Sequence, residues 1–84
     1  MMNYFVYILY SKDFDKYYKG QCNDIENRLL RQNQGEVKST APYKPWILVW
    51  STLKDTRSEA MRLERKLKNL SKLKTKHFIE KYSN

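Results

Sequence analysis

The chain has 84 residues, which is enough for one domain, because typical domains hold about 100–150 residues. Charged residues make up 31% and hydrophobic residues 40%, which is typical of a globular protein and argues against disorder. The 17 basic and 9 acidic side chains give a formal net charge of +8, and the 1 cysteine excludes an internal disulfide. Without a secretory signal or an apolar run of about 20 residues, we predict a single domain over residues 1–84, located in the cytoplasm.

The first predicted element is a β-hairpin. Residues 4–10 are apolar, β-branched or aromatic throughout, which favours a strand covered on both faces. A polar stretch follows, and residues 17–22 can return as an antiparallel strand. With the turn centred between residues 12 and 13, Tyr7 would stand opposite Tyr18. Gly20, inside the second strand, indicates a bulge or a close approach to the backbone.

A helix and a third strand should come next. Either Asn23 or Asp24 can cap the helix, and Ile25 and Leu29 mark its buried face at helical spacing. Gly35 is a natural C-terminal stop. Residues 46–50 form the most apolar run of the chain and predict the third strand.

Two helices are predicted in the C-terminal third. Thr56 and Glu59 form a capping box, so a helix should begin there and run to about Leu70. Apolar positions between 73 and 82 predict a further short helix. The predicted order is β-β-α-β-α-α, an α/β fold in which a small, mostly antiparallel three-stranded sheet is flanked by helices.

Positive charge is concentrated in the second half of the chain. Residues 1–42 carry a net charge of +1, because six basic residues face five acidic ones. Residues 43–84 carry eleven basic and four acidic residues, a net charge of +7. A surface of this kind attracts a polyanion, and nucleic acid is a commoner partner than an anionic membrane.

Glu64 is the most informative acidic residue, although its environment alone allows two interpretations. At 100° per residue it falls on the border of the apolar stripe of its helix, among several cations. A carboxylate in this position can hold a hard cation such as Mg²⁺. It can equally form a salt bridge to a neighbouring lysine or arginine. Tyr7 and Tyr18 also allow two interpretations, because a cross-strand aromatic pair can belong to a functional site or can simply contribute to packing.

The ordered set of motifs resembles the GIY-YIG nuclease superfamily. Val6-Tyr7-Ile8-Leu9 and Tyr18-Lys19-Gly20 are similar to the two motifs that name it, with the tyrosines eleven positions apart. Residues 23–29 resemble its first helix, and residues 57–68 resemble the helix that carries its metal-binding glutamate. The similarity covers about residues 4–80 and is closest to the small single-domain bacterial members.

The resemblance implies a metal-dependent endonuclease that hydrolyses phosphodiester bonds. Tyr7 and Tyr18 would flank the scissile phosphate, and one of them would help to activate the attacking water. Arg28 would offset charge on the phosphoryl oxygens, and Glu64 would bind Mg²⁺ or another divalent cation. Gln32 stands where the family often has histidine, and an amide cannot accept a proton as imidazole does. These five residues form the predicted catalytic set.

Nucleic acid is the predicted partner, DNA more than RNA, and no membrane partner is expected. The predicted nucleic-acid contacts are six cations, Lys19, Arg31, Lys44, Arg62, Arg65 and Lys68. Because of Gln32, a non-catalytic nucleic-acid-binding domain on the same scaffold remains an alternative. A peripheral membrane or protein-binding module that uses the basic helix is a third possibility, and the oligomeric state is left open.

Overall fold

The computed structural model describes residues 3–83, which form one three-stranded antiparallel sheet and three α-helices. The strands are β1 (Tyr4–Ser11), β2 (Lys16–Cys22) and β3 (Ile47–Lys54). The helices are α1 (Ile25–Asn33), α2 (Arg57–Lys68) and α3 (Lys72–Tyr82). The predicted fold class and the order β-β-α-β-α-α are confirmed. Within residues 3–83, no helix combines the length and the apolarity that crossing a bilayer requires.

The central position of β1 explains why its sequence does not alternate between apolar and polar residues. The strand order is β2-β1-β3, and both faces of β1 are covered. Val6 and Ile8 pack with residues of α2 and α3 on one face, which we call the α2 face. Tyr7 and Leu9 pack with Trp46 and residues of α1 on the other, the α1 face. Side chains that alternate along β1 are therefore buried on both faces of the sheet, each against a different helical layer.

The register of the hairpin differs from the predicted one. Tyr7 pairs with Gly20, and Tyr18 pairs with Leu9, so the prediction that the two tyrosines stand directly opposite each other is wrong. The turn spans four residues between the pair Ser11 and Lys16, and its last residue has a positive φ of 50°. The turn is thus centred between residues 13 and 14, one residue later than predicted, which shifts every pair by two positions. Because this shift is even, both tyrosines stay on the α1 face as diagonal neighbours.

The predicted helix starts are confirmed by their capping hydrogen bonds. The side chains of Asp24 and Thr56 accept from the backbone N–H groups three residues later, each at 3.1 Å. Helix α2 ends at Lys68, two residues before the predicted end, whereas β3 continues to Lys54, four residues beyond its predicted end. A register shift in the β1–β3 pairing leaves Val49 as an extra residue in β3.

Candidate active site

Tyr7 lies over Gly20 on the α1 face, and this approach requires glycine. A Cβ atom at position 20 would stand 2.7 Å from the Tyr7 Oη and 2.9 Å from its Cζ, closer than non-bonded atoms allow. The close approach that the glycine indicated is therefore present, and its partner is a candidate catalytic side chain. Because β2 is an edge strand, the hydroxyl end of Tyr7 is directed towards the edge of the sheet.

The hydroxyl group of Tyr7 is buried and has no hydrogen-bond partner among the described residues. The side chain is only 1% exposed, and this burial raises the pKa of Tyr7 well above its usual range. The neighbouring Tyr18 raises the pKa further, whereas the positive charge of Arg28 lowers it. The phenol is consequently neutral at physiological pH. A buried polar group without a partner is rare in native proteins and often marks a functional site.

Tyr18 is held between Tyr7 and Trp46. Both ring-centroid distances are 6.2 Å, and the ring of Tyr18 meets that of Trp46 edge to face. Trp46 is itself fixed by Asn33, which accepts from the Trp46 N–H at 2.6 Å and donates to its carbonyl at 2.9 Å. The indole N–H of Trp46 donates to the carbonyl of Thr40 at 3.0 Å. The loop between α1 and β3 thereby forms a wall beside the tyrosine pair.

Arg28 and Gln32 lie one turn apart on α1 and have different environments. Arg28 is half-buried, and its positive charge partly opposes the burial that raises the pKa values of Tyr7 and Cys22, which places the guanidinium near these groups. Gln32 is fully buried, and its Nε2 lies 3.5 Å from the hydroxyl of Thr40, a long hydrogen bond. The Oε1 of Gln32 is buried without a partner. The chain thus contains a second unsatisfied polar atom on the helix that covers the tyrosines.

Glu64 lies on α2, at the other side of the edge strand. Its side chain is 20% exposed, which agrees with its predicted place at the border of the apolar stripe. Its Oε1 accepts from the Nε2 of Gln21 at 3.2 Å, and its Oε2 lies 3.5 Å from the Nζ of Lys68. The salt bridge considered from the sequence is therefore present. The negative charge of Glu64 also raises the pKa of Tyr7, so the carboxylate and the phenol interact electrostatically around the edge of β2.

The donor set around Glu64 fits a weakly held divalent cation. The described residues contain no group of three or more His, Cys, Asp or Glu side chains that could enclose a metal ion. A single carboxylate nevertheless suits Mg²⁺, which commonly binds through one or two carboxylates and completes its coordination with water and substrate phosphates. Lys68, the ion-pair partner of Glu64, has a side chain that is 56% exposed and free to turn away.

Three of the six predicted nucleic-acid contacts have partners within the protein, and one of them is Lys68, which pairs with Glu64. The Nζ of Lys19 lies 3.5 Å from the carbonyl of Leu70, and burial lowers the pKa of this lysine. Arg31 lies 3.7 Å from Glu36 in an exposed ion pair. Exposed ion pairs of this kind contribute at most about 1 kcal/mol to the free energy of unfolding, so Arg31 can exchange Glu36 for a phosphate group at little cost.

The remaining cations of the predicted set are exposed. Lys44 lies in the loop before β3, and Arg62 and Arg65 lie on the outer surface of α2. Neither arginine forms an ion pair with any residue between 3 and 83. Their charges are consequently available to an external anion.

Comparison with known proteins identifies the family. The sequence model of the GIY-YIG catalytic domain matches residues 3–77. A UPF0213 protein of Staphylococcus saprophyticus is 36% identical over 75 residues, which cover 88% of this chain and 90% of that protein. The UPF0213 protein YazA of Bacillus subtilis is 32% identical over 83 residues, covering 98% of this chain and 83% of the relative.

A solved structure supports the same relationship. The solution NMR structure of a UPF0213 protein from Bacillus halodurans is 33% identical and superposes with a TM-score of 0.64, covering 96% of this chain and 86% of the other. The fold is thus that of a GIY-YIG domain. The chain belongs to the GIY-YIG family, among relatives that are small bacterial proteins.

Sequence reasoning missed Gln21, Asn33 and Trp46 as parts of the site. Gln21 follows the second motif, but nothing in its local sequence indicates that it contacts Glu64, 43 positions away. Asn33 and Trp46 meet only when the intervening loop closes. The sequence provided only an indirect signal for this contact. Asn33 stands next to a buried face of its helix, and Trp46 stands directly before β3.

Proposed function

We propose that this protein is an endonuclease that hydrolyses phosphodiester bonds in DNA with the help of Mg²⁺ or another divalent cation. The observation that carries the proposal is the buried, unpartnered hydroxyl of Tyr7, which lies near Arg28 and interacts electrostatically with Glu64. A phenol, a guanidinium and a carboxylate are the groups required to handle the proton, the phosphoryl charge and the cation of such a reaction. Membership of the GIY-YIG family supports this assignment.

The proposed roles follow from the charge of each group. A phosphodiester transition state gathers negative charge on its oxygens, and Arg28 supplies a fixed opposite charge. Tyr7 is neutral at physiological pH, so it can donate a hydrogen bond to the attacking water or to a phosphoryl oxygen. It can act as a base only after it has lost its proton. Tyr18 lies against Tyr7 and would line the opposite side of the phosphate.

Glu64 would hold the divalent cation. When bound, such a cation neutralises phosphate charge and lowers the pKa of water. Gln21 donates to the Glu64 carboxylate and would keep it oriented, while Lys68 would leave it for the phosphate backbone. Because the protein contributes one carboxylate, cation affinity without nucleic acid should be weak.

A substrate panel tests this proposal. Purified protein is incubated with plasmid, single-stranded DNA, branched DNA and RNA in the presence of Mg²⁺, Mn²⁺ or EDTA. We expect cleavage of DNA with either metal and none with EDTA, and the products should show which DNA structure is preferred. Absence of cleavage on every substrate, combined with measurable DNA affinity, would contradict the catalytic proposal.

A non-catalytic nucleic-acid-binding domain is the second candidate, and Gln32 favours it. Glutamine at this position removes the proton acceptor that the family often has, and the buried Oε1 offers only a hydrogen bond. If the protein binds nucleic acid without cutting it, this candidate replaces the first. A protein that binds anionic vesicles or another protein but no nucleic acid would support the third possibility, a peripheral membrane or protein-binding module.

Replacing Gln32 by histidine tests the role of this position. A proton acceptor in an active site contributes about 10²–10⁴-fold in rate, so Gln32→His should accelerate cleavage within that range if the imidazole is well placed. DNA affinity should change little, because the net charge near neutral pH barely alters. Single-turnover cleavage and equilibrium binding measure the two effects separately.

Gln32→Met is the matched control for the histidine variant. It keeps the length of the side chain but removes the buried amide, so the thermal midpoint should rise while cleavage does not accelerate. An unchanged rate in Gln32→His, in a variant that folds normally, would show that this position does not take part in proton transfer.

A further inference from the structure

We propose that the outer surface of α2 binds the phosphate backbone of the nucleic acid next to the cleavage centre, and that Arg57 connects this surface to the centre. The inference rests on the proposed nucleic-acid-binding function and specifies the path of the strand. It gives substrate-binding roles to Arg57, Ser58 and Met61, which the motifs do not single out.

Two adjoining grooves carry the argument. One has a volume of about 350 Å³ and is lined by Asn3, Tyr4, Gln21, Cys22, Asn23 and Arg57. The other has a volume of about 400 Å³ and is lined by Arg57, Ser58, Met61, Arg62 and Arg65. Arg57 belongs to both grooves, and Gln21 in the first groove donates a hydrogen bond to Glu64. A continuous path therefore leads from the candidate metal-binding carboxylate to the outside of α2.

The charges along this path are unpaired. Arg57, Arg62 and Arg65 are exposed, and none of them forms an ion pair within the described part of the chain. Among residues 3–83, no carboxylate lines either groove. Guanidinium groups bind phosphate through two parallel hydrogen bonds and are more weakly hydrated than lysine ammonium groups. The surface is thus suited to a phosphate backbone and needs no base-specific contact.

The length of the path sets the expected footprint. Arg57 and Arg65 are eight residues apart on one helix, which corresponds to about 12 Å at a rise of about 1.5 Å per residue. This length spans about four nucleotides at about 3.4 Å per nucleotide along a stacked strand. Each arginine that contacts a phosphate should add about 0.7–0.9 to the magnitude of the slope of log K against log[salt].

A lysine-lined groove between the hairpin turn and α3 is the competing surface. Its volume is about 540 Å³, and it is lined by Tyr10, Asp15, Tyr17, Lys72, Leu73 and Lys76. Asp15 accepts hydrogen bonds from Tyr10 at 2.7 Å and from Lys72 at 2.9 Å, and these bonds hold the pKa of the carboxyl below its usual value. A permanent negative charge therefore lies inside this groove and opposes a phosphate. We assign the backbone to the α2 surface for this reason.

The test compares DNA affinity across salt concentrations for variants of the two surfaces. Fluorescence anisotropy with labelled duplex and single-stranded DNA is measured for the parent, Arg57→Gln, Arg65→Gln and the matched control Lys76→Gln. We expect a parent slope of log K against log[salt] of about −3 to −5. Each arginine variant should reduce that magnitude by about 0.7–0.9 and lower the affinity roughly five- to eightfold at about 0.1 M salt, whereas Lys76→Gln should match the parent.

The native Cys22 provides a second measurement that does not depend on cleavage. It is the 1 cysteine of the chain and lines the first groove, so bound DNA should slow its alkylation by iodoacetamide. The protection should be weaker in Arg57→Gln when parent and variant are compared at a DNA concentration near the dissociation constant of the parent. If the parent binds DNA but Lys76→Gln loses affinity and Arg57→Gln does not, the surface assignment is wrong while the function stands. If the parent binds no nucleic acid, both proposals fail.

Discussion

Replacing Tyr7 by phenylalanine should slow cleavage strongly without destabilising the protein. The ring stays in place, while the only group removed is a buried hydroxyl that lacks a partner. Removing an unsatisfied buried polar group should raise the free energy of unfolding by about 1 kcal/mol. Loss of a group that handles a proton should lower the rate by about 10²–10⁴-fold. Thermal unfolding and single-turnover cleavage of the same preparations measure both effects.

The alkaline limb of the stability curve provides a control for this interpretation. Because burial raises the folded-state pKa of Tyr7, ionisation of this phenol disfavours the folded state, so the free energy of unfolding is highest below the unfolded pKa of about 10 and falls as the pH rises further. The parent should therefore lose up to about 1.4 kcal/mol per pH unit more than Tyr7→Phe above pH 10. Equal alkaline stability of the two proteins would contradict the burial of a neutral phenol at this position.

Gly20→Ala should have the largest combined effect on stability and activity. The added Cβ would meet the Tyr7 Oη at 2.7 Å and the Tyr18 Cε2 at 3.1 Å, so both rings must move. Overpacking of this kind costs about 1–3 kcal/mol, which corresponds to a decrease of about 4–8 °C in thermal midpoint per kcal/mol for a domain of this size. A displacement of about 1 Å at a reacting group can lower the rate by about 10²-fold.

A double-mutant cycle identifies which contact causes the loss of stability in Gly20→Ala. If the Tyr7 hydroxyl causes much of the clash, Gly20→Ala should cost less stability in a Tyr7→Phe background than in the parent. Equal costs in both backgrounds would show that the glycine is needed for another reason. DNA binding should change little in either variant, because neither position carries charge.

The hairpin shows how far local sequence could predict this fold. Both strands were predictable from their composition, but their register depended on the turn. Its last residue, Asp15, adopts a positive φ of 50°, a conformation more common for glycine and asparagine. The side chain of Asp15 is held there by Tyr10 and by Lys72 of α3. One of these two contacts comes from α3, so local sequence alone does not contain every interaction made at this turn.

The sequence allowed the residues of the candidate site to be named, but it did not allow the contacts between them to be predicted. The helical position of Glu64 was enough to place its carboxylate at the border of a buried face. Its partner Gln21 could not be predicted, because the contact depends on how α2 packs against the edge strand. Gly20 indicated a close approach, and only the shifted register shows that the approaching side chain is Tyr7.

The most direct test of the central claim compares the parent with Glu64→Gln in one experiment that measures binding and cleavage together. Both proteins are saturated with DNA, Mg²⁺ is added, and the single-turnover rate is recorded beside the dissociation constant. We predict cleavage by the parent and a loss of at least about 10²–10³-fold in the variant, with DNA affinity unchanged within a few-fold. Equal cleavage by both proteins, or no cleavage by the parent at full occupancy, would contradict the assignment of this site as a metal-dependent nuclease centre.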